Sequence, residues 1–159
     1  MKSKLVVFDS VFGNTEKIAR AIADSLSSQS EVEVMSVSQV KTLPLNDLKL
    51  LIVGSPTRGF KPTPDISVWL AGLPANSLVG VKVAAFDTRI PKDVLKKNFF
   101  LRLFSKMIAF AADPIAKELT SKGGYLVFPP EGFIVLESEG PLAEGELQRA
   151  TDWAANLEL

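Results

Sequence analysis

Short apolar runs alternate along the chain with segments whose apolar residues recur at helical spacing. The continuous runs at residues 5–8, 48–53 and 81–86 are typical of strands buried on both faces of a parallel sheet. Helical spacing follows at residues 18–26 and again at 147–157. The other predicted elements are a strand at 32–37, a helix that begins at Pro64 and Asp65, a helical region at 94–122, and a last strand interrupted at Pro129 and Pro130.

Strand and helix alternate about five times, which predicts a doubly wound, five-stranded parallel sheet with helices on both faces. No linker, repeat or low-complexity segment divides the chain, so residues 1–159 are expected to form a single domain. In such sheets ligands bind beyond the carboxyl ends of the strands, at the switch in strand order. We therefore expect a site in the loops after Asp9, Gly54 and Phe86.

Two helix starts carry specific expectations. Asn14 is expected to cap the first helix. Pro114 lies inside the helical region 94–122, where it should either kink the helix or start a second one capped by Asp113.

Composition excludes several kinds of chemistry. The 159 residues contain no Cys and no His, which excludes disulfides, thiol chemistry and His-dependent triads. No carboxylate cluster suggests a metal site, and no side chain is singled out as catalytic. Lys plus Arg and Asp plus Glu both number 18, so no broad basic field favours nucleic acid. The first residues lack a signal-peptide layout, and the apolar stretch 99–112 is too short and too charged to span a bilayer. We expect a cytoplasmic protein without membrane insertion.

The loop after the first strand has the features of an anion site. A helix N-terminus offers free backbone amides and a partial positive charge. Ser10 and Thr15 add hydroxyl donors, Asn14 adds an amide, and Gly13 allows close approach of the backbone. The P-loop and dinucleotide glycine motifs are both missing. An ordinary capped helix start remains the alternative interpretation.

Residues 9–16, Asp-Ser-Val-Phe-Gly-Asn-Thr-Glu, resemble the phosphate-binding signature of the flavodoxin family. The resemblance implies a flavodoxin-like fold and a bound flavin mononucleotide (FMN). It places the phosphate on Ser10, Val11, Phe12, Gly13, Asn14 and Thr15. Many family members have Thr or Ser where Phe12 stands, so one side-chain contact to phosphate is absent here. Phe12 instead packs near the flavin or closes the core.

The resemblance also assigns roles to the second and third loops. It places Ser55, Pro56, Thr57, Arg58, Gly59 and Phe60 against the isoalloxazine ring, and Asp87, Thr88 and Arg89, with free backbone amides, at its pyrimidine edge. Arg58 either approaches the N1–C2=O edge, where a cation raises the flavin potential, or is a solvated loop charge. Asp87 either accepts from N3–H or caps the turn. Many members carry a Tyr in this third loop, and this chain does not.

The region after the third loop is rich in Phe, with Phe99, Phe100 and Phe104 close together. Three interpretations are open: a lid over the flavin, part of the core, or a homodimer interface formed by residues 99–110.

The leading hypothesis is an FMN-binding electron-transfer protein, a carrier rather than a classical enzyme, which serves an unidentified redox partner protein. Typical flavodoxins are strongly acidic, whereas this chain is neutral overall. Two alternatives remain: a small FMN-dependent NAD(P)H:quinone-type reductase, and a flavin-free regulatory protein on the same fold.

Overall fold

The computed structural model describes residues 3–28, 30–40 and 45–157. These residues form one parallel β-sheet. The remaining positions of the predicted domain lie outside the described residues. The strands follow the order β2-β1-β3-β4-β5, with β6 also paired to β4, and every named pair is parallel. Their bounds are Lys4–Phe8 (β1), Val32–Ser36 (β2), Leu50–Pro56 (β3), Lys82–Arg89 (β4), Tyr125–Leu126 (β5) and Glu131–Ile134 (β6). The predicted doubly wound parallel sheet is confirmed.

The last position in the sheet is an interrupted strand, as the sequence indicates. β5 pairs with the start of β4, with Tyr125 opposite Lys82, and β6 pairs with its end, with Glu131 opposite Phe86. Pro129 and Pro130 lie between the two pieces, where they have no amide to donate to a ladder. The interruption leaves β6 ending at the carboxyl edge of the sheet.

Helices cover both faces of the sheet. Their bounds are Asn14–Leu26 (α1), Val37–Val40 (α2), Pro64–Ala71 (α3), Lys92–Leu95 (α4), Phe99–Leu103 (α5), Ala112–Ser121 (α6) and Glu146–Asn156 (α7), with a 3₁₀ turn at Ser105–Met107. Alternate strand residues point to opposite faces. Val6 packs with α1 and α7, whereas Val7 packs with α3 and α6. Gly54 is required where β3 passes β4, because a Cβ there would lie 2.0 Å from the Phe86 ring.

The predicted helical region at 94–122 is divided into separate short helices. Asn98 accepts hydrogen bonds from the amides of Phe100 and Leu101, which starts α5 as a separate short helix. Pro114 lies in the first turn of α6, where a missing amide costs no hydrogen bond. Of the two alternatives, the second helix is therefore correct. The cap position, however, is Ala111, and Asp113 lies inside the first turn.

Other element boundaries also differ from expectation. Gly13, with φ of 94°, occupies the cap position of α1, and Asn14 is the first helical residue. β3 and β4 extend to Pro56 and Arg89, so the second and third loops begin later than predicted. Asp87 and Thr88 have strands on both sides, so their backbone belongs to the sheet and is not free for a ligand.

Candidate functional site

A cleft opens at the carboxyl edge of the sheet, above the ends of β1, β3 and β4. The space in it that a water-sized sphere can reach is about 70 Å³, below the volume of a typical closed small-molecule pocket, so the site is a shallow cleft. It is lined by Ser10, Val11, Phe12, Asn14, Thr15, Pro56, Thr57, Arg58, Thr88, Arg89, Ile90, Val135 and Ser138. The three predicted loops thus meet at the topological switch point between β1 and β3.

Most of the residues singled out in the sequence line this cleft, and the structure brings three more to it. The predicted residues that do not line it are Gly13, Ser55, Gly59, Phe60 and Asp87. Ile90, Val135 and Ser138 were missed. Val135 and Ser138 follow β6. The sequence could have indicated them only through the expectation that the last parallel strand also ends at the carboxyl edge of the sheet.

Residues 10–15, which we call the loop 10–15, present backbone amides without acceptors. The amides of Val11, Phe12, Asn14 and Thr15 form no hydrogen bond with any described residue. The amide of Gly13, by contrast, donates to Ser10 Oγ at 3.1 Å. Four free amides at the N-terminus of a 13-residue helix form an anion-binding concavity.

Hydroxyl groups surround these amides. Thr15 and Thr88 are both almost fully buried, and their Oγ1 atoms lie 2.8 Å apart. One hydroxyl of this pair donates to the other, so the accepting hydroxyl keeps a proton for a ligand. Ser10 Oγ accepts the Gly13 amide, and its own proton is likewise available.

Asn14 ties the loop 10–15 to the segment after β6. Its Nδ2 donates to the carbonyl of Glu139 at 3.1 Å, and the side chain is only 8% exposed. Gly140, with φ of 106°, passes so close that a Cβ there would lie 2.7 Å from the Asn14 amide group. Asn14 therefore positions the cleft wall that contains Ser138, a role the sequence did not indicate.

Asp87 and Arg89 form a bidentate ion pair with N–O distances of 2.7 Å. Asp87 is fully buried, and its Oδ2 also accepts the amide of Ala112 at 2.9 Å. The guanidinium of Arg89 stacks on Phe110, 3.9 Å from the ring centroid. The Asp87 carboxyl thus anchors α6 and orients Arg89 along the cleft wall.

Burial raises the pKa of Asp87 above its ordinary value, although Arg89 and the Ala112 amide act in the opposite direction. The carboxylate therefore depends on these partners to remain ionised. Arg89 supplies both the charge and the two hydrogen bonds that compensate for lost water.

In the second loop, Pro56, Thr57 and Arg58 line the cleft, whereas Ser55, Gly59 and Phe60 do not. Arg58 lies over the Phe12 ring, 5.4 Å from its centroid, and Phe12 is 46% exposed, so Phe12 does not close the core. Ser55 is buried and accepts the amide of Thr63 at 3.0 Å, which makes it a structural residue of the turn. Gly59 and Phe60 both have positive φ, at 56° and 66°.

The interpretation of the Phe-rich segment as core is also wrong. Phe99 and Phe100 are 65% and 70% exposed, and neither lines the cleft. Within the described residues, no helix is long and apolar enough to cross a membrane, and no group of three or more acidic residues is placed to hold a metal ion.

A sequence profile described as Flavodoxin matches residues 6–87, just over half of the chain. The chain belongs to the flavodoxin family. The match runs from within β1 to within β4 and includes the loop 10–15, the second loop and Asp87. Members of this family bind FMN, so FMN is the cofactor of this flavodoxin.

Solved structures share the fold. Oxidised flavodoxin 1 from Bacillus cereus is 20% identical, with a TM-score of 0.74 over 98% of this chain and 97% of that one. Rubredoxin oxygen:oxidoreductase from Desulfovibrio gigas is 21% identical, with a TM-score of 0.70 over 98% of this chain but 35% of that one. These identities establish the architecture and not the activity.

An uncharacterized protein of Methanocaldococcus jannaschii is 31% identical over 126 residues. The alignment covers 69% of this flavodoxin but only 32% of the relative. The chain thus spans about a third of the length of this curated relative.

The donor groups of the cleft fit FMN. Its phosphate is a dianion, and the loop 10–15 together with Thr88 offers four free amides and two hydroxyl protons, without any carboxylate among the cleft-lining residues. Arg58 adds positive charge farther along the cleft, where the Arg89 guanidinium is paired with Asp87. The residues present therefore suit an anionic group at the loop and a polar ring edge near the arginines.

Proposed function

We propose that this flavodoxin is an electron carrier that holds the FMN phosphate on the amides of residues 11, 12, 14 and 15. The observation that carries the proposal is that these four amides have no acceptor within the described residues. Free amides at a helix N-terminus bind a phosphate through charge-assisted hydrogen bonds, which are stronger than bonds between neutral groups. When bound, FMN supplies the redox chemistry.

The chain's own residues would then orient the cofactor and set its potential. Thr15 and Thr88 offer a hydroxyl proton beside the amides, and Asn14 fixes the loop against the Glu139 carbonyl. The guanidinium of Arg58 favours negative charge in the cleft, which would raise the reduction potential, whereas the charge of Arg89 is compensated by Asp87.

An electron carrier is favoured over an enzyme because the cleft lacks acid–base groups. Among the described residues that line it, the only ionisable side chains are the two arginines, which stay protonated. The chemically reduced, FMN-loaded chain should reduce cytochrome c, used as a generic protein acceptor. It should show no NADPH consumption with a soluble quinone, whereas catalytic turnover would favour the reductase.

The loop assignment is tested by titrating the chain with FMN and with riboflavin, which lacks the phosphate. FMN should bind at least about 100-fold more tightly, equivalent to about 3 kcal/mol or roughly two charge-assisted hydrogen bonds. Equal affinities would show that the phosphate makes no important contact.

A matched pair of glycine variants locates that contact. Gly13 and Gly80 have φ of 94° and 82°, and a Cβ at either position meets no atom within 4 Å. Gly13→Ala and Gly80→Ala should therefore impose similar backbone strain, of about 1 kcal/mol. Only Gly13→Ala should weaken FMN binding, by roughly 10–100-fold, because strain there reorients amides that hold the phosphate. An equal loss in both variants would indicate a general effect on stability.

A further inference from the structure

Residues 92–107, which we call the segment 92–107, expose a cluster of large apolar side chains. Its members Phe99, Phe100, Leu103, Phe104 and Met107 are 46–70% exposed. Single exposed apolar residues are ordinary on protein surfaces, but five within nine residues form a patch of the kind that marks an interaction site.

The same segment is strongly basic. It contains five cationic residues and one acidic residue, in a chain whose total charges balance. Among the described residues, no carboxylate forms an ion pair with any of the five. The cationic residues are Lys92, Lys96, Lys97, Arg102 and Lys106. The patch therefore offers unpaired positive charge next to exposed apolar surface.

The backbone of the segment is largely satisfied by its own turns. Asn98 caps α5, and the amides of Arg102, Phe104 and Met107 donate to carbonyls within the segment. A backbone with internal hydrogen bonds can leave water at low cost. The segment can thus enter an apolar surrounding without first refolding.

We propose that the segment 92–107 seats the chain on an anionic lipid surface. Phe and Leu side chains beside Lys and Arg are the composition of peptides that lie in the membrane interface. Clusters of four to eight basic residues bind anionic lipid headgroups. Long Lys side chains keep their charge in water while the neighbouring apolar side chains enter the membrane interface.

Two other occupants fit less well. A second copy related by a two-fold axis would bring the same five cations against each other, which opposes a homodimer through residues 99–110. A protein partner would need deep apolar recesses for side chains that are 65–70% exposed, and protein interfaces are depleted in Lys. A lipid interface adapts to protruding side chains and favours Lys.

The location of the segment determines where the cleft would lie relative to the lipid surface. Ile90, directly before it, lines the cleft, and Phe110, just after it, stacks on Arg89. Both ends of the segment therefore adjoin the cleft, so a chain resting on the segment holds the cleft close to the lipid surface. The inference itself does not depend on FMN.

The test is sedimentation of the chain, with FMN added, on vesicles. Vesicles of equal parts phosphatidylcholine and phosphatidylglycerol should bind it at low salt, and phosphatidylcholine alone should bind it far less. A triple Lys96→Gln, Lys97→Gln, Lys106→Gln variant should lose about 100-fold in partitioning. A Phe99→Ser, Phe100→Ser variant should also lose most of its binding.

Matched controls separate the segment from general surface effects. Val68 and Val79 are 69% and 66% exposed elsewhere, so Val68→Ser with Val79→Ser should leave vesicle binding unchanged. A triple Lys49→Gln, Lys82→Gln, Lys117→Gln variant, the control for the triple Lys variant of the segment, should likewise leave vesicle binding unchanged. The proposal is overturned if the vesicles do not bind, if the controls lose as much as the segment variants, or if size exclusion shows a dimer that the Phe variant dissociates.

Discussion

The loop 10–15 and the segment 92–107 connect strands to helices at the same edge of the sheet, and they expose opposite chemistry. Within the part of the chain that the structure describes, the short connection leaves four amides without acceptors, whereas the long one satisfies much of its backbone internally. The short connection contributes two buried polar residues, Asn14 and Thr15, whereas the long one holds its large apolar side chains in solvent. Free backbone donors suit a small anion, and exposed apolar and basic side chains suit an extended surface.

The difference also shows what fixes each connection. Asn14 and Thr15 fasten the loop 10–15 to the Glu139 carbonyl and to Thr88, so its amides keep one direction. The long connection is fastened at its end, where Asp87 accepts the Ala112 amide and Arg89 stacks on Phe110. Preorganised donors favour specific binding, and a segment fastened mainly at one end can adapt to a surface.

The largest expected effect comes from unfastening the long connection. Arg89→Met keeps a long side chain but leaves the buried Asp87 carboxylate without its counter-charge, which should lower the free energy of unfolding by about 3–5 kcal/mol at pH 7. Arg58→Met is the control and should change it by less than about 0.5 kcal/mol, because Arg58 is exposed. Urea unfolding measures both.

The pH dependence of Arg89→Met sharpens that prediction. Burial already raises the pKa of Asp87, and loss of Arg89 raises it further. A raised carboxyl pKa disfavours the folded state when the group is ionised and stops doing so once it is protonated. The deficit of Arg89→Met relative to wild type should therefore shrink as the pH falls from 7 toward the acid range. A deficit that stays constant would show that Asp87 is not its cause.

An intermediate effect is expected at the hydroxyl pair of the short connection. Thr15→Ala removes one hydroxyl beside the free amides and should weaken FMN binding by about 1–2 kcal/mol, or roughly 5–30-fold. Thr15→Ser keeps the hydroxyl and should restore most of the affinity. If Thr15→Ser binds FMN as weakly as Thr15→Ala, the methyl packing matters more than the hydrogen bond.

The smallest effect is expected at Arg58, where the cleft meets solvent. Arg58→Ala should lower the FMN midpoint potential by about 10–20 mV, which corresponds to roughly 0.5–1 kcal/mol for a two-electron couple. Lys82→Gln, at the opposite edge of the sheet, should leave the potential unchanged. An unchanged potential in Arg58→Ala would remove Arg58 from the surroundings of the flavin.

Local sequence predicted the loop 10–15 because all of its donors are contiguous and follow an apolar strand. The pairing of Thr15 with Thr88, and the approach of Val135 and Ser138 to the cleft, join residues distant in sequence and could not be found from spacing alone. The sequence predicts Asp87 as a flavin ligand or a turn cap, because nothing in the sequence shows that Arg89 forms an ion pair with it. The sequence predicts a helical region at 94–122. The spacing of apolar residues, however, does not show whether a sheet face is available to cover them.

Amide NMR of the chain during FMN addition tests the central claim most directly. The account predicts that the largest shifts fall on the amides of residues 11, 12, 14 and 15, and that riboflavin leaves these four nearly unmoved. If FMN and riboflavin shift the same amides equally, or if the largest shifts lie in the segment 92–107, the phosphate is not held by the loop 10–15 and the account is contradicted.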